Sequence, residues 1–192
     1  MFSIGQISGE QRLVKRLRNG ENGAMQEFYS RYANQLTAVC SRYVTDSDDL
    51  KDVFQEALIH IFTHIGDFEY RGTGSLMAWA SRIVVNEALD YLNAPRHRKT
   101  TLREAEVTVE PFEEEVPSFS DIPPDVIQQM IKSLPTGYRT VFNLYVFENK
   151  SHSEIARLLG IKECSSSSQF SRARSLLARM VREYYNKEQL SR

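Results

Sequence analysis

Cysteine is nearly absent: the 192 residues include only Cys40 and Cys164, far apart in the chain. They build neither a disulfide framework nor a CxxC metal pattern, and reduced thiols in a cytoplasmic protein are the expectation. Proline is missing until Pro95, so nothing in the first half blocks a helix. No apolar run approaches the roughly 18–20 residues that cross a bilayer, and no membrane insertion is expected. The opening MFSIGQISGEQRLVKRLRNG sets no apolar stretch behind a basic start and does not read as a secretory signal.

Catalytic motifs are missing too. There is no Walker loop, no GxGxxG and no Ser/His/Asp arrangement. The GTGS at 72–75 lacks the lysine and preceding strand of a phosphate cradle. Paired acids in EEEV fall where nothing would hold a catalytic geometry. Glu56, His60 and His64 stand four residues apart and could line one helix face. No further ligand accompanies them, and such a row is more often a wet helix surface. No enzymatic activity, cofactor or metal is expected.

What the sequence does hold is helical periodicity and an uneven charge pattern. Residues 1–95 carry 9 basic and 12 acidic side chains. Residues 96–103 hold four bases and no acid, and 104–121 hold seven acids and no base. From 162 onward seven bases face three acids. A basic C-terminal segment on a nearly neutral chain suggests local nucleic-acid contact.

Apolar residues recur at helical spacing over 9–95. The spacing predicts a helix over 10–19 and a second, capped by Asn22, that buries Met25, Phe28, Tyr29, Tyr32, Leu36, Val39 and Tyr43. A third starts near Ser47 as N-cap, with Asp48 and Asp49 suited to the positive end of the dipole. It buries Leu50, Val53, Ala57, Ile61 and Ile65. A fourth runs from Ser75 to Leu92. Residues 94–124 then hold five of the six prolines and the acidic run EPFEEEVPSFSD, the composition of a flexible linker.

Helical pattern resumes at Asp125, stops at Leu134-Pro135, and continues through Val141, Phe142, Leu144, Tyr145 and Phe147. Ser151-His152-Ser153-Glu154 fits a capping box. The short helix behind it stops at Gly160, suited to a left-handed end, and a long helix begins near Glu163. Together these spell helix-turn-helix. At about 100° per residue, Ser166, Phe170, Ala173, Leu177, Met180, Val181 and Tyr184 share its inner face. Cys164, Ser165, Ser168, Arg172 and Ser175 point outward, with Gln169 at the edge. Such hydroxyls, amides and guanidinium groups can meet phosphates and base edges. The fold class is therefore all-α, with two helical domains joined by a flexible linker, the second a helix-turn-helix domain.

LVKRLRNGENGAMQEFYSRYANQL, DLKDVFQEALIHIF, RGTGSLMAWASRIVVNEALDYL and LPTGYRTVFNLYVFENKSHSEIARLLGIKECSSSSQFSRARSLL resemble, in order and spacing, the blocks of extracytoplasmic-function sigma factors. The resemblance implies a promoter-melting domain over 1–95, a linker over 96–124 and a −35-reading domain over 125–192. Core RNA polymerase (the clamp helices of its largest subunit, and its flap), promoter DNA and an anti-sigma factor are the implied partners.

Asp49, Asp52, Gln55 and Glu56 are implied to bind the clamp helices. Tyr70, Arg71, Gly72, Ser75, Trp79, Arg82 and Asn86 are implied to hold the melted −10 strand, though Trp79 also has the character of a core residue. Ser165, Ser167, Ser168, Gln169, Arg172 and Arg174 are implied to face the −35 element. Here the chain departs from the family pattern. It has serine where a basic residue is usual at 167 and where a branched apolar one is usual at 166. Arg172 is the preferred contact because Arg174 projects nearer the packed face. Fewer fixed charges predict a shallow salt dependence. A polymerase-independent helix-turn-helix repressor would explain residues 125–192, but not the acidic face or the glycine-aromatic loop.

Overall fold

The computed structural model describes residues 8–95 and 122–190. The chain divides into two compact units between Tyr91 and Leu92. Among the described residues every regular element is helical.

The first unit holds α1 (Gly9–Arg18), α2 (Ala24–Cys40), α3 (Ser47–Thr63), a 3-10 turn (Ile65–Asp67) and most of α4 (Ser75–Asn93). Ser8 caps α1 by accepting from the Gln11 amide at 3.1 Å. Glu10 lies in its first turn and Lys15, Arg16 and Arg18 in its last, which matches the helix dipole. The expected caps of α2 and α3 each shift by one residue. Gly23, not Asn22, holds the cap position of α2, at φ 78° and with no side-chain bond. A left-handed entry suits glycine far better than asparagine. Asp46, not Ser47, caps α3, its Oδ1 accepting from the amides of Asp48 and Asp49 at 2.9 and 3.1 Å.

Phe28, Leu36, Tyr43, Ile61, Leu76 and Val84 are fully buried. Phe28 meets Phe62 edge-on, with ring centroids 5.4 Å apart, a geometry that favours the ring quadrupoles. Met25 and Tyr29, expected inside, are 54% and 53% exposed, and Leu50 is only half-buried. The apolar period shows where a side chain points, not how far the neighbouring helices reach.

The second unit holds α5 (Pro124–Lys132), α6 (Thr136–Val146), α7 (His152–Leu159) and α8 (Glu163–Leu190). Pro124 opens α5, where its missing amide hydrogen is harmless. Ile131, Leu134, Tyr138, Ala173, Leu176 and Leu177 form the centre, flanked by Ile127, Met130, Phe142 and Met180. Arg139 is buried in this unit. Its Nη1 donates to the carbonyls of Lys132 and Leu134 at 3.0 and 2.8 Å, satisfying the end of α5. Tyr145 and Phe147 are partly exposed.

Two outcomes follow from this packing. Burial pushes the Cys40 thiol up to about 12, whereas Cys164 is exposed. An aromatic disulfide reagent should titrate one thiol in the native protein and the second only after unfolding. Rapid loss of both would contradict the packing of α2. Arg139→Met should destabilise the second unit by about 1–3 kcal/mol, since it strands buried carbonyls, as read by urea unfolding.

Candidate nucleic-acid interface

Three surfaces carry the residues singled out by sequence. The first surrounds the segment between the 3-10 turn and α4. Arg18 reaches it from α1, with Nε donating to the Ile65 carbonyl at 3.3 Å and Nη2 donating to the Phe68 carbonyl. Further along, Ser8 Oγ and Tyr70 Oη lie 2.6 Å apart. Gly72 and Gly74 adopt φ of 121° and 89°, a backbone open mainly to glycine. The Ser75 hydroxyl donates to the Gly72 carbonyl at 2.6 Å and accepts from the Arg71 amide at 3.2 Å.

Beside this segment lies a cleft of about 290 Å³ lined by Asp67, Phe68, Glu69, Arg71, Ser75, Ala78, Trp79 and Arg82. Trp79 is half-buried and packs on Phe68 with centroids 5.2 Å apart, so its ring both supports and walls the cleft. Arg82 and Asn86 are exposed on α4. Ser75, Trp79, Arg82 and Asn86 recur at helical spacing and share one side of it. Of the residues expected here, Arg71, Ser75, Trp79 and Arg82 converge on the cleft. Tyr70, Gly72 and Asn86 lie outside its lining.

The second surface is the outer face of α3. Asp52, Gln55 and Glu56 are exposed. Asp49 is half-buried and accepts from the Tyr91 hydroxyl. Ile59, which the sequence reading did not single out, continues the row and is 56% exposed. The Asp48 carboxylate bonds Lys51 at 3.0 Å and raises its pKa. The histidine row does not gather a metal site. His60 Nδ1 pairs with Glu87 of α4 at 2.5 Å, and His64 Nδ1 faces the His60 carbonyl at 3.0 Å. Among the described residues no three His, Cys, Asp or Glu side chains are placed to hold an ion.

The third surface is the helix-turn-helix of α7 and α8. Ser151 and Glu154 form the capping box reciprocally, and Gly160 turns the chain at φ 64°, ψ 35°. His152 stacks on Tyr145 with centroids 4.8 Å apart, while Phe170 lies 4.4 Å from Tyr145 and 5.7 Å from His152. His152 Nδ1 lies 3.0 Å from the hydroxyl of Ser166, which is fully buried. That bond explains why a hydroxyl is accommodated where a branched apolar side chain is usual. Sequence reasoning missed His152, whose position directly after the cap gave no sign of a partner 14 residues ahead.

Ser167 and Ser168 are exposed, and Ser165, Gln169 and Arg172 are half-buried. The Ser168 hydroxyl donates back to the Cys164 carbonyl at 2.8 Å. Ser175, expected outward, is buried and donates to the Ser171 carbonyl at 3.1 Å. Its neighbours Ala173, Leu176, Leu177 and Ala178 are buried as well, so α8 is enclosed around most of its girth there. Arg174 is exposed and borders an apolar groove of about 220 Å³ with Ile127, Phe142, Val146 and Phe170.

Known proteins match both units of the chain. The family model described as Sigma-70 region 2 matches residues 28–98, and that described as Sigma-70, region 4 matches 125–177. The RNA polymerase sigma-H factor of Pseudomonas aeruginosa is 28% identical over 181 residues, covering 88% of this chain and 91% of that one. The ECF RNA polymerase sigma-E factor of Escherichia coli is 29% identical over 182 residues, covering 90% and 94%. Among solved structures, that of CnrH in complex with the cytosolic domain of CnrY matches with a TM-score of 0.47 and 20% identity, over 90% of this chain and 96% of that one.

The caps of α3 and α7 imply an acid limit. Amides of Asp49 and Asp48 hold the Asp46 carboxyl below its ordinary range, and the amide and hydroxyl of Ser151 do the same for Glu154. A lowered folded-state pKa stabilises the fold above the unfolded value of about 4, and this stability is lost as pH falls through the folded value. Asp46→Ala and Glu154→Ala should each lower the melting temperature at neutral pH, with the difference from wild type fading by about pH 2 in melts followed by circular dichroism.

Proposed function

The chain belongs to the sigma-70 family, and from that premise we propose that its first unit captures the melted −10 strand while its second reads the −35 duplex. It is a sigma factor that directs promoter-specific transcription. One observation carries the strand assignment: a cleft lined by two aromatic rings, two guanidinium groups and a hydroxyl, together with the carboxylates of Asp67 and Glu69, of which Glu69 pairs with Arg71 at 3.1 Å. Extruding a base from the stack costs a few kcal/mol, and an aromatic surface returns about 1–3 kcal/mol per stacked base. Phe68 and Trp79 supply the apolar wall, Arg71 and Arg82 attract the strand's phosphates, and Asn86 extends the polar track along α4. Tyr70 and Gly72 shape the loop rather than wall the cleft.

The exposed Asp52, Gln55 and Glu56 form the polymerase-binding face, with Asp49 at its edge. A carboxylate buried at an interface requires a charged partner, which the basic clamp helices of the largest subunit supply. In the second unit Ser165, Ser167, Ser168, Gln169 and Arg172 face the −35 groove, with Arg174 to one side. So few cations make this contact weakly salt-dependent, and the unit binds the polymerase flap as well as DNA. The protein acts in the bacterial cytoplasm without enzymatic activity or cofactor of its own, since polymerase performs the chemistry. An anti-sigma factor that covers these surfaces is its expected regulator.

In vitro transcription with core polymerase of the source bacterium, on fragments of its genome, tests this reading. Protein-dependent start sites with shared upstream elements are expected. Arg82→Ala should reduce open-complex yield and lower the salt slope by about one. Glu56→Arg should weaken core association about tenfold or more. Tight binding to a palindromic duplex without polymerase, and no new starts, would replace the proposal with a repressor.

A further inference from the structure

The α4 helix begins without a carboxylate of its own, since its first turn carries no acidic residue. Its leading amides are nevertheless satisfied, by a side chain 64 residues earlier. Glu10 Oε2 accepts from the Gly74 amide at 2.7 Å, and Oε1 accepts from the Leu76 amide at 2.8 Å. Glu10 is only 9% exposed, so this contact lies inside the unit. Its charge sits on the positive end of the α4 dipole, in the place a strand phosphate would otherwise seek.

The loop in front of α4 carries bonds of its own, between Ser75 and both Gly72 and Arg71, and a few reaching it from α1. A Cβ placed on Gly72 or Gly74 would meet nothing within 4 Å, so the positive φ at both positions, not crowding, is what calls for glycine. The constraints from α1 on residues 70–76 are polar: Glu10 at Gly74 and Leu76, and the contact between Ser8 and Tyr70. Both straps come from the start of α1. The residue between the two amides is Ser75, which borders the cleft and carries the Arg71 amide on its hydroxyl. Moving either amide therefore moves two cleft residues.

We propose that Glu10 is a positioning residue for promoter strand capture. It fixes the 70–76 loop before DNA arrives, so that the cleft need not be ordered during binding, and it directs the strand's phosphates to Arg71 and Arg82 by filling the α4 terminus itself. This rests on the reading of the cleft as the −10 site.

The test uses the full chain with core polymerase and a promoter carrying 2-aminopurine at successive non-template −10 positions. Glu10→Gln keeps the shape, but its amide group sets a donor against one of the two N–H groups. Tyr70→Phe cuts the second strap without changing charge. Glu10→Gln should lower strand capture about ten- to a hundredfold at the base held in the cleft, and Tyr70→Phe less. Core affinity and −35 duplex binding should stay near wild type, while the melting temperature falls only modestly, as the loss of one buried hydrogen bond requires. Unchanged capture in Glu10→Gln would overturn the proposal, as would a parallel fall of capture, core affinity and melting temperature, which is what a merely structural role produces. If Arg82→Ala also leaves capture intact, the cleft is not the strand's site and the underlying reading fails instead.

Discussion

A helix end buried in a protein must find partners for its orphan amides and carbonyls, and that requirement organises the first unit. The α4 terminus meets it through Glu10, and the carbonyls of Ile65 and Phe68 meet it through Arg18. A single ten-residue helix thus holds both ends of the segment that shapes the cleft. The apolar side of α1, with Leu13, Val14 and Leu17 buried, anchors these two polar reaches. On the far side of α4, Tyr91 and Glu87 bind Asp49 and His60 of α3. The acidic face and the cleft are consequently built on one cross-linked scaffold.

The second unit solves the same problem differently. Arg139 closes the end of α5 from within the core, Ser151 and Glu154 close the start of α7, and Gly160 ends it in the left-handed conformation. The angle between α7 and α8 is fixed by the wedge of Tyr145, His152 and Phe170, with Ser166 tied to the imidazole. Charge plays a small part in this arrangement, and none of the wedge residues belongs to the outward row of serines.

Sequence reading succeeded where the determinants are local. The capping box at Ser151 and Glu154, the stop at Gly160 and the start of α8 at Glu163 are all visible within a few residues. It was off by one at Asn22 and Ser47, because adjacent turn-formers compete for a cap and only backbone dihedrals choose between them. It failed for Met25, Tyr29 and Ser175, whose burial depends on which helix lies over them. The long-range bonds of Glu10 to the start of α4 were invisible, since an acid in a first turn already has a sufficient local explanation. The convergence of Arg71, Ser75, Trp79 and Arg82 was legible through the resemblance and helical spacing, but the cleft they line was not.

The wedge of Tyr145, His152 and Phe170 has an evolutionary corollary. Because it sets the pose of α8 from the side facing α6 and α7, the outward residues Ser167 and Ser168 do no packing work and are exposed to solvent. Exchanges at such positions usually change stability by no more than about 0.5 kcal/mol. Duplicated copies of this gene can therefore explore new sequence preferences one letter at a time, each intermediate remaining a folded protein.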